Sequence, residues 1–276
     1  MPSMMDTPAY VDVHTHLTHE LFSTDLTAVI AAAETAGLRH IVVNGLHPTS
    51  NRIILAMAAK FPIVHAALGI YPVEAVADLL PADFSYEVEK FSVADELAFI
   101  ATQAKSGKLI AIGECGLDGY LVGEETFAAQ ERVFLRLCEI ATDCNLPIII
   151  HSRKRERRIA EVVIHHGIKR VNFHCFCGKV KLAKRLAEEH GFWFSIPANS
   201  RVNQGFQRMM AELPLEKILT ETDAPYLAPV RGERNEPKNV VHTVEHLASI
   251  RNMSQQQACE QVYRNFLELM GMPSTA

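Results

Sequence analysis

Short apolar runs alternate with amphipathic stretches along almost the whole chain. The first apolar run, residues 10–13, precedes a segment with Val29, Ile30 and Ala33 on one helical face, and Gly37 is suited to end that helix. The same alternation then recurs to the end of the chain. The pattern predicts strands at residues 10–13, 41–43, 63–68, 109–113, 147–150, 171–173, 191–195 and 218–220. It predicts intervening helices at 26–36, 51–60, 92–105, 127–145, 157–166, 179–190 and 204–212, and two closing helices after residue 239.

Eight strands, each followed by a helix, predict a parallel sheet that closes into one (β/α)₈ barrel of the TIM type. An extra C-terminal helix follows, and Ser254 with Gln257 has the spacing of a capping box at its start. An open, doubly wound α/β sheet is the alternative, but no glycine-rich phosphate-binding turn follows the first strand. We therefore expect residues 1–276 to form a single barrel domain.

Composition limits the classes of partner. The 27 Lys and Arg against 32 Asp and Glu give a formal net charge of −5, so no strong overall field attracts nucleic acid. Any polyanionic substrate must be drawn by local basic groups or by metal ions. The six cysteines are too few and too scattered for a disulfide framework, which favours reduced thiols and a cytoplasmic protein. The sequence shows neither a signal peptide nor a membrane-spanning segment, and we expect a monomer or a weak homo-oligomer.

Side chains that can bind metal follow five of the predicted strands. They are His14 and His16 after the first strand, Glu114 after the fourth, His151 after the fifth, His174 after the sixth, and Glu221 with Asp223 after the eighth. Taken singly, each has a structural explanation as a hydrogen-bonded rim residue or a partner of a helix end. In a barrel, however, the carboxyl ends of all strands meet at one mouth, so four imidazoles and at least two carboxylates converge there.

This set holds more ligands than one ion takes. Two divalent ions about 3.5–4 Å apart, bridged by a carboxylate, fit it better, and Glu114 is the candidate bridge. Residues i and i+2 of a strand point the same way, so His14 and His16 are expected to bind one ion. His151 and His174 are expected to bind the other. Asp12 lies on the same strand face and is expected to orient a histidine.

A two-metal site suits the hydrolysis of phosphoesters, and also of amides or lactones. Basic residues near the mouth favour phosphate, because a guanidinium can bind it through two parallel hydrogen bonds. Arg153 follows the fifth strand, and Arg234 with Asn235 lies in the long loop after the eighth. Arg157 and Arg158 are better explained as solvated residues at the start of a helix.

Several motifs together resemble those of the TatD family of metal-dependent deoxyribonucleases. They are Asp12-Val13-His14-Thr15-His16-Leu17, Ala111-Ile112-Gly113-Glu114-Cys115-Gly116-Leu117-Asp118, Gln130 followed by Phe134, Leu146-Pro147-Ile148-Ile149-Ile150-His151-Ser152-Arg153, His174-Cys175-Phe176, Glu221-Thr222-Asp223-Ala224-Pro225-Tyr226-Leu227, Arg234-Asn235-Glu236-Pro237 and Asn265-Phe266. They run in the family's order over nearly the whole chain. The first motif occurs in other metal hydrolases, whereas the whole set is specific.

The resemblance implies a TIM-type barrel with two divalent ions, Mg²⁺ or Mn²⁺ in function and Zn²⁺ as a possibility. It implies metal ligands at His14, His16, Glu114, His151, His174 and Asp223. Asp223 and Glu114 would be catalytic: Glu114 would bridge the ions, and Asp223 would hold and help deprotonate the attacking water. Arg153 and Arg234 would face phosphate. The substrate would be single-stranded DNA, typically degraded 3′→5′.

Three positions depart from the family pattern. Tyr71 stands where the family usually has a histidine, and Cys177 precedes Gly178 where Ser-Gly is usual. The segment 72–91 is longer than in the commonest members and could form a lid. Cys175 and Cys177 suggest a thiolate zinc site, but the hard carboxylate ligands argue against it.

Two other functions remain as alternatives. A hydrolase of small phosphoesters, amides or lactones could use the same barrel, although many such proteins carry a lysine where this chain has Glu114. A catalytically idle binding or quality-control protein could keep the site for structure, although the complete set of ligands argues against that.

Overall fold

The computed structural model describes residues 9–273, and within them eight parallel strands form one sheet in the order of the sequence. The strands are β1 (Tyr10–Thr15), β2 (Leu38–Asn44), β3 (Val64–Leu68), β4 (Ala111–Gly116), β5 (Ile148–His151), β6 (Val171–His174), β7 (Trp193–Ile196) and β8 (Ile218–Thr220). The helices are α1 (Leu26–Thr35), α2 (Pro48–Lys60), α3 (Val93–Lys105), α4 (Phe127–Asp143), α5 (Glu156–His165), α6 (Val180–His190), α7 (Gln204–Glu212), α8 (Val240–Arg251) and α9 (Gln255–Met270). The predicted (β/α)₈ barrel with an additional C-terminal helix is confirmed.

The sheet closes between β8 and β1 through side-chain and loop hydrogen bonds. The Thr220 hydroxyl donates to the Val11 carbonyl oxygen at 2.8 Å. Just beyond the end of β8, the Asp223 N–H donates to the His14 carbonyl oxygen at 2.9 Å. The closure thus brings the segment after β8 directly against β1, where two of the predicted ligands lie.

The barrel wall and the surrounding helices share one apolar core. Phe173 of β6 and Phe194 of β7 stack with ring centroids 5.3 Å apart, and Phe176 meets both rings edge-on. All three side chains are buried. Such rings bury much apolar area and fix their neighbours' positions, so the carboxyl ends of β6 and β7 are held firmly.

The additional helix α9 is anchored at both ends. Its predicted capping box is present: the Gln257 N–H donates to the Ser254 hydroxyl at 3.1 Å, and the Ser254 N–H donates to the Gln257 side chain at 2.9 Å. Near its other end, the Asn265 amide donates to the carbonyl oxygens of Leu215 and Ile218, at the start of β8.

The element boundaries differ from prediction where strands continue into polar sequence. β4 extends to Gly116 rather than ending at residue 113, because Cys115 and Gly116 still pair with β5. Likewise β1 extends to Thr15. His14 and Glu114 therefore lie within strands rather than after them, which restricts their backbones more than a loop would. No helix within residues 9–273 is long and apolar enough to span a membrane.

Candidate metal centre

The structure brings all six predicted ligands together at the carboxyl ends of the strands. His14 and His16, both buried on β1, place their Nε2 atoms 3.1 Å apart. Two nitrogens that each lie about 2.1 Å from one ion, at roughly 90–110° to one another, are separated by about 3.0–3.4 Å. The two imidazoles therefore have the spacing of two ligands of a single ion.

Glu114 lies between two pairs of histidines. Its Oε1 is 2.9 Å from His151 Nδ1 and 3.2 Å from His174 Nε2, and its Oε2 is 3.5 Å from His14 Nε2 and 3.4 Å from His16 Nε2. Each oxygen thus faces a different pair. A carboxylate in this position can bridge two cations, which is the geometry predicted for Glu114.

Asp223 completes one side of the cluster. Its Oδ1 is 3.6 Å from His14 Nε2 and 3.4 Å from His16 Nε2. The backbone of Asp223 has a φ of 56°, in the left-handed region that few side chains adopt. The hydrogen bond from its N–H to His14 holds it there, so the position of this carboxylate is coupled to β1.

The donor set fits divalent cations. Three overlapping groups of ligand atoms lie within 4.8 Å of one another: His14 with His174 and Asp223, His14 with His16 and Glu114, and Glu114 with His151 and His174. Burial opposes ionisation of Glu114, but the surrounding imidazoles outweigh it and hold the pKa of that carboxyl well below its usual range. Burial lowers the pKa of His14 to about 4, so its ring is neutral at pH 7 and has a free lone pair to offer.

Asp118 orients His151, a role that sequence reasoning missed. Its Oδ2 lies 2.8 Å from His151 Nε2, while the other ring nitrogen faces Glu114. Its Oδ1 accepts from the N–H groups of Tyr120 and Leu121 at 2.7 and 2.6 Å. A carboxylate on one nitrogen fixes the tautomer that leaves the other free for a metal. The only sequence signal was the place of Asp118 at the end of the fourth-strand motif.

Glu221 lies next to His174 but beyond hydrogen-bond distance, and its hydrogen bonds go to neighbouring groups instead. Its Oε1 lies 3.7 Å from His174 Nδ1 and accepts the Cys175 N–H at 2.9 Å, while its Oε2 accepts the Ser195 hydroxyl. Sequence reasoning placed Glu221 at the mouth but gave it no role. His16 is oriented by a backbone group instead, since its Nδ1 lies 3.3 Å from the Asn44 carbonyl oxygen.

Asp12 differs from its predicted role of orienting a histidine ring. Its carboxylate accepts the His14 backbone N–H at 3.2 Å, the Thr222 N–H at 3.0 Å and the Thr222 hydroxyl at 2.5 Å. Burial raises its pKa to about 8 against these hydrogen bonds. Asp12 therefore joins β1 to the segment after β8 and acts on the backbone rather than on an imidazole.

Glycines allow the strands to approach closely around Glu114. A Cβ on Gly69, just after β3, would overlap the backbone carbonyl oxygen of Glu114 and lie 2.6 Å from the carbonyl carbon of Gly113. Gly116, with a φ of 145°, would bring a Cβ into the carbonyl oxygen of His151. Only glycine fits these two positions, because both obstacles are backbone atoms.

Two of the predicted substrate-binding residues, Arg153 and Arg234, differ in whether their guanidinium groups are already paired with carboxylates. Arg153 is exposed, and its guanidinium carbon lies 3.7 Å from the ring centroid of Tyr120. Arg234 is instead bound by Asp25 at 2.7 Å and Glu236 at 2.7 Å. The two carboxylates hold the pKa of Arg234 above its usual range and occupy its donors, so the structure does not give it the predicted phosphate-facing position.

Asn235 is fully buried and is used within the loop. Its amide donates to the carbonyl oxygens of Thr222 and Tyr226, both at 2.8 Å, and its oxygen accepts the Glu236 N–H and the Asn239 amide. The structure thus assigns it to the support of the segment that carries Asp223 rather than to substrate contact. These hydrogen bonds depend on the shape of the folded loop after β8, which the sequence does not show.

Tyr71, which departs from the family pattern, forms one wall of the mouth. Its ring meets the His151 ring edge-on at 5.0 Å. The segment 72–91 folds back over this side: the Glu89 carboxylate lies 2.6 Å from His47 Nδ1, and the Tyr86 ring lies 6.4 Å from that of Tyr71. The segment 72–91 therefore adds an aromatic residue, Tyr86, to the rim.

The two cysteines after β6 take no part in the groups of ligand atoms found among residues 9–273. Cys175 is partly buried, and the thiol of the exposed Cys177 donates to the Cys175 carbonyl oxygen at 3.3 Å. All six cysteines are free. Both observations agree with the preference for a site of histidines and carboxylates.

The fold and the cluster define the class of protein: a (β/α)₈ barrel with a histidine–carboxylate centre suited to divalent cations at its mouth. Within that class, the family model for TatD-related DNases matches residues 11–271. The chain belongs to the TatD family. Family members are metal-dependent hydrolases, and deoxyribonucleases are among them.

Three comparisons illustrate the likeness. An uncharacterised metal-dependent hydrolase of Methanocaldococcus jannaschii is 30% identical over 93% of this chain and 94% of its own length. The 3′-5′ ssDNA/RNA exonuclease TatD of Escherichia coli is 27% identical over 86% of this chain and 89% of its own. The crystal structure of a TatD homologue from Escherichia coli superposes with a TM-score of 0.82 at 25% identity, covering 96% of this chain and 98% of that one.

Proposed function

We propose that this protein is a divalent-metal-dependent phosphodiesterase that removes nucleotides from single-stranded DNA in the 3′→5′ direction. The observation that carries the proposal is the Glu114 carboxylate, which faces His14 and His16 with one oxygen and His151 and His174 with the other. The name of the Escherichia coli relative, an ssDNA/RNA exonuclease, supports the choice of substrate.

Two divalent ions, Mg²⁺ or Mn²⁺, would be held by His14, His16, Glu114 and Asp223 on one side and by Glu114, His151 and His174 on the other. Bound there, they would supply positive charge for the phosphate oxygens and lower the pKa of the attacking water. The protein would contribute the imidazole and carboxylate groups that hold the ions in position.

Asp223 is the group that would take the proton. Burial opposes its ionisation, but the hydrogen bond from His16 and the charges of the other imidazoles outweigh that and hold its pKa below the usual range. It is therefore a carboxylate at pH 7, beside His14 and His16. Arg153, exposed beside Tyr120, would contact the phosphate of the scissile nucleotide.

The test uses protein freed of metal and then given Mg²⁺, Mn²⁺ or Zn²⁺ separately. The substrate is a single-stranded oligonucleotide labelled at its 5′ end, for which 3′→5′ removal yields a ladder that keeps the label. Glu114→Gln and Asp223→Asn should each abolish the ladder, because an amide neither bridges cations nor accepts the water's proton. Glu139→Gln and Asp143→Asn on the outside of α4 are matched controls that should retain it.

Loss of the label as a mononucleotide would indicate the opposite polarity, and internal fragments would indicate an endonuclease. Either result would overturn the proposed direction. Activity that survives chelation and both active-site variants would overturn the metal-dependent mechanism itself. A parallel series with small phosphoesters, amides and lactones would show whether one of those classes is the better substrate.

A further inference from the structure

Tyrosines are concentrated at the mouth of the barrel. Four of the six in the chain, Tyr71, Tyr86, Tyr120 and Tyr226, lie on segments that follow β3, β4 and β8. Three of these rings are well exposed: Tyr86 by 38%, Tyr120 by 57% and Tyr226 by 51%. Exposed aromatic rings grouped at a site of chemistry point to a ligand with apolar faces.

Other exposed apolar side chains follow the same distribution. Among residues 9–273, nine large apolar or aromatic side chains are exposed, and seven of them lie on segments between a strand and the helix that follows it. Only Ile53 on α2 and Ile164 on α5 lie elsewhere. The exposed apolar and aromatic side chains are thus concentrated on the face that carries the metal centre.

Tyr120 is the ring most firmly tied to that centre. Its backbone N–H donates to Asp118, whose other carboxylate oxygen holds His151. The Arg153 guanidinium covers one face of the ring at 3.7 Å, and the N–H of Gly119 donates to the Arg153 carbonyl oxygen at 2.9 Å. Tyr120 and Arg153 therefore form a cation–aromatic pair whose backbone is anchored next to His151.

The other rings extend this surface around the mouth. Tyr71 contacts the His151 ring, and Tyr86 lies next to Tyr71. On the opposite side, the Tyr226 ring lies 6.5 Å from that of His16. Rings thus flank the cluster on the sides of both histidine pairs.

We propose that Tyr120, paired with Arg153, and Tyr86 are stacking platforms for the unpaired nucleobases on either side of the phosphodiester at the metal centre. This inference rests on the proposed function. Flat aromatic rings with a neighbouring guanidinium are the elements with which proteins bind single strands without reading their sequence. The interior bases of a duplex are stacked on both faces, and only the terminal pair has one free face, so two platforms for successive bases select single strands.

The overall charge is a second reason to expect local contacts with the bases. With a formal net charge of −5, the protein does not attract a polyanion at long range. The phosphate would be bound at the cluster and by Arg153, and the bases would supply the remaining affinity through the tyrosines. Tyr71, whose ring is turned toward His151, serves as the wall behind Tyr86.

The test measures kcat/KM for two single-stranded oligonucleotides, one intact and one with abasic residues in the last two positions at the 3′ end. The ratio of the two values reports the contribution of the bases. Tyr120→Ala and Tyr86→Ala should each lower this ratio on the order of 10-fold, the effect of losing one base–aromatic stack. Tyr120→Phe retains the ring and should keep the ratio. Ile53→Ala removes an equally exposed apolar side chain away from the mouth and should leave the ratio unchanged.

A second measurement uses metal-free protein, so that it is independent of turnover. With 2-aminopurine as the terminal base, stacking on Tyr120 should quench its fluorescence in the wild type and not in Tyr120→Ala. If wild-type protein cleaves both oligonucleotides with equal kcat/KM, or if the alanine variants keep the wild-type ratio, the stacking proposal is wrong while the nuclease function stands. If the wild type cleaves neither, the proposed function fails and the platforms fail with it.

Discussion

Replacing Asp118 by Asn should weaken the binding of one metal ion and leave the other unchanged. With an ion bound, the carboxylate would accept from His151 Nε2, 2.8 Å away, and Nδ1, the nitrogen directed at Glu114, would be free for coordination. In Asp118→Asn, the side-chain oxygen would stay with the N–H groups of Tyr120 and Leu121, because these can only donate. The amide nitrogen would then face His151 Nε2 as a donor. The ring must shift its proton to Nδ1, the atom needed for coordination.

The magnitude follows from these contacts. Loss of a partner that orients a metal-binding histidine typically lowers metal affinity about 10–100-fold, or about 1.4–2.7 kcal/mol. Asp118 is fully buried, and its hydrogen bonds would change from charged to neutral, at a cost of about 1 kcal/mol each. We therefore expect a modest loss of stability in a protein that still folds.

The assay is a titration of metal-free protein with Mn²⁺, followed by anomalous diffraction to locate the bound ions. The site of His151 and His174 should be weakened selectively, whereas that of His14 and His16 should keep its affinity. Asp143→Asn, at the exposed end of α4, is the control for loss of a carboxylate. Equal affinities in wild type and Asp118→Asn would refute the orienting role, and so would a parallel weakening of both sites.

Two further predictions concern the barrel itself. His40 Nδ1 lies 2.8 Å from His65 Nε2, so only one of these two nitrogen atoms can carry a proton. Burial, followed by the charges of His65 and Arg39, lowers the pKa of His40 to about 4. An unfolded histidine takes its proton near pH 6.5, so stability should be full above that pH and fall by about 3 kcal/mol as the pH drops toward 4. Urea unfolding of His40→Gln should lack this part of the pH dependence. Gly69→Ala should lower the free energy of unfolding by at least about 1–3 kcal/mol and reduce metal binding, because the new Cβ meets the backbone of β4. Gly205→Ala is its control, because the Cβ there would meet only an Asn203 side-chain atom at 3.1 Å. Equal effects in both variants would contradict the argument that β3 and β4 approach closely at Gly69.

The order of elements and the meeting of the six candidate ligands were predictable from sequence for a single reason. In a parallel barrel, the carboxyl end of every strand reaches the same mouth, so a polar residue after an apolar run is placed without knowledge of distances. That reasoning located Glu114 correctly even though β4 continues to Gly116. The strand boundary was wrong by three residues, but it did not change the end of the barrel on which Glu114 lies.

The supporting contacts were not predictable in this way. The role of Asp118 depends on which ring nitrogen of His151 faces Glu114, and no periodicity in the sequence carries that information. Arg234 illustrates the same limit, since it pairs with Asp25, a residue 209 positions away in the chain. A basic residue near a mouth is free or paired according to loop geometry, which forms only in the folded protein.

The arrangement of the mouth argues against a purely structural role for the cluster. The rings of His14 and His174 stack nearly parallel with centroids 3.8 Å apart, and two such rings cannot both be protonated without repulsion. Barrel closure does not depend on them, because β8 is joined to β1 through Thr220 and through Asp12 with its partners on Thr222. Closure does not require these buried imidazoles, and cations bound around the shared carboxylate would offset the cost of burying them. The cluster is therefore better explained by the chemistry of bound cations than by the needs of the fold.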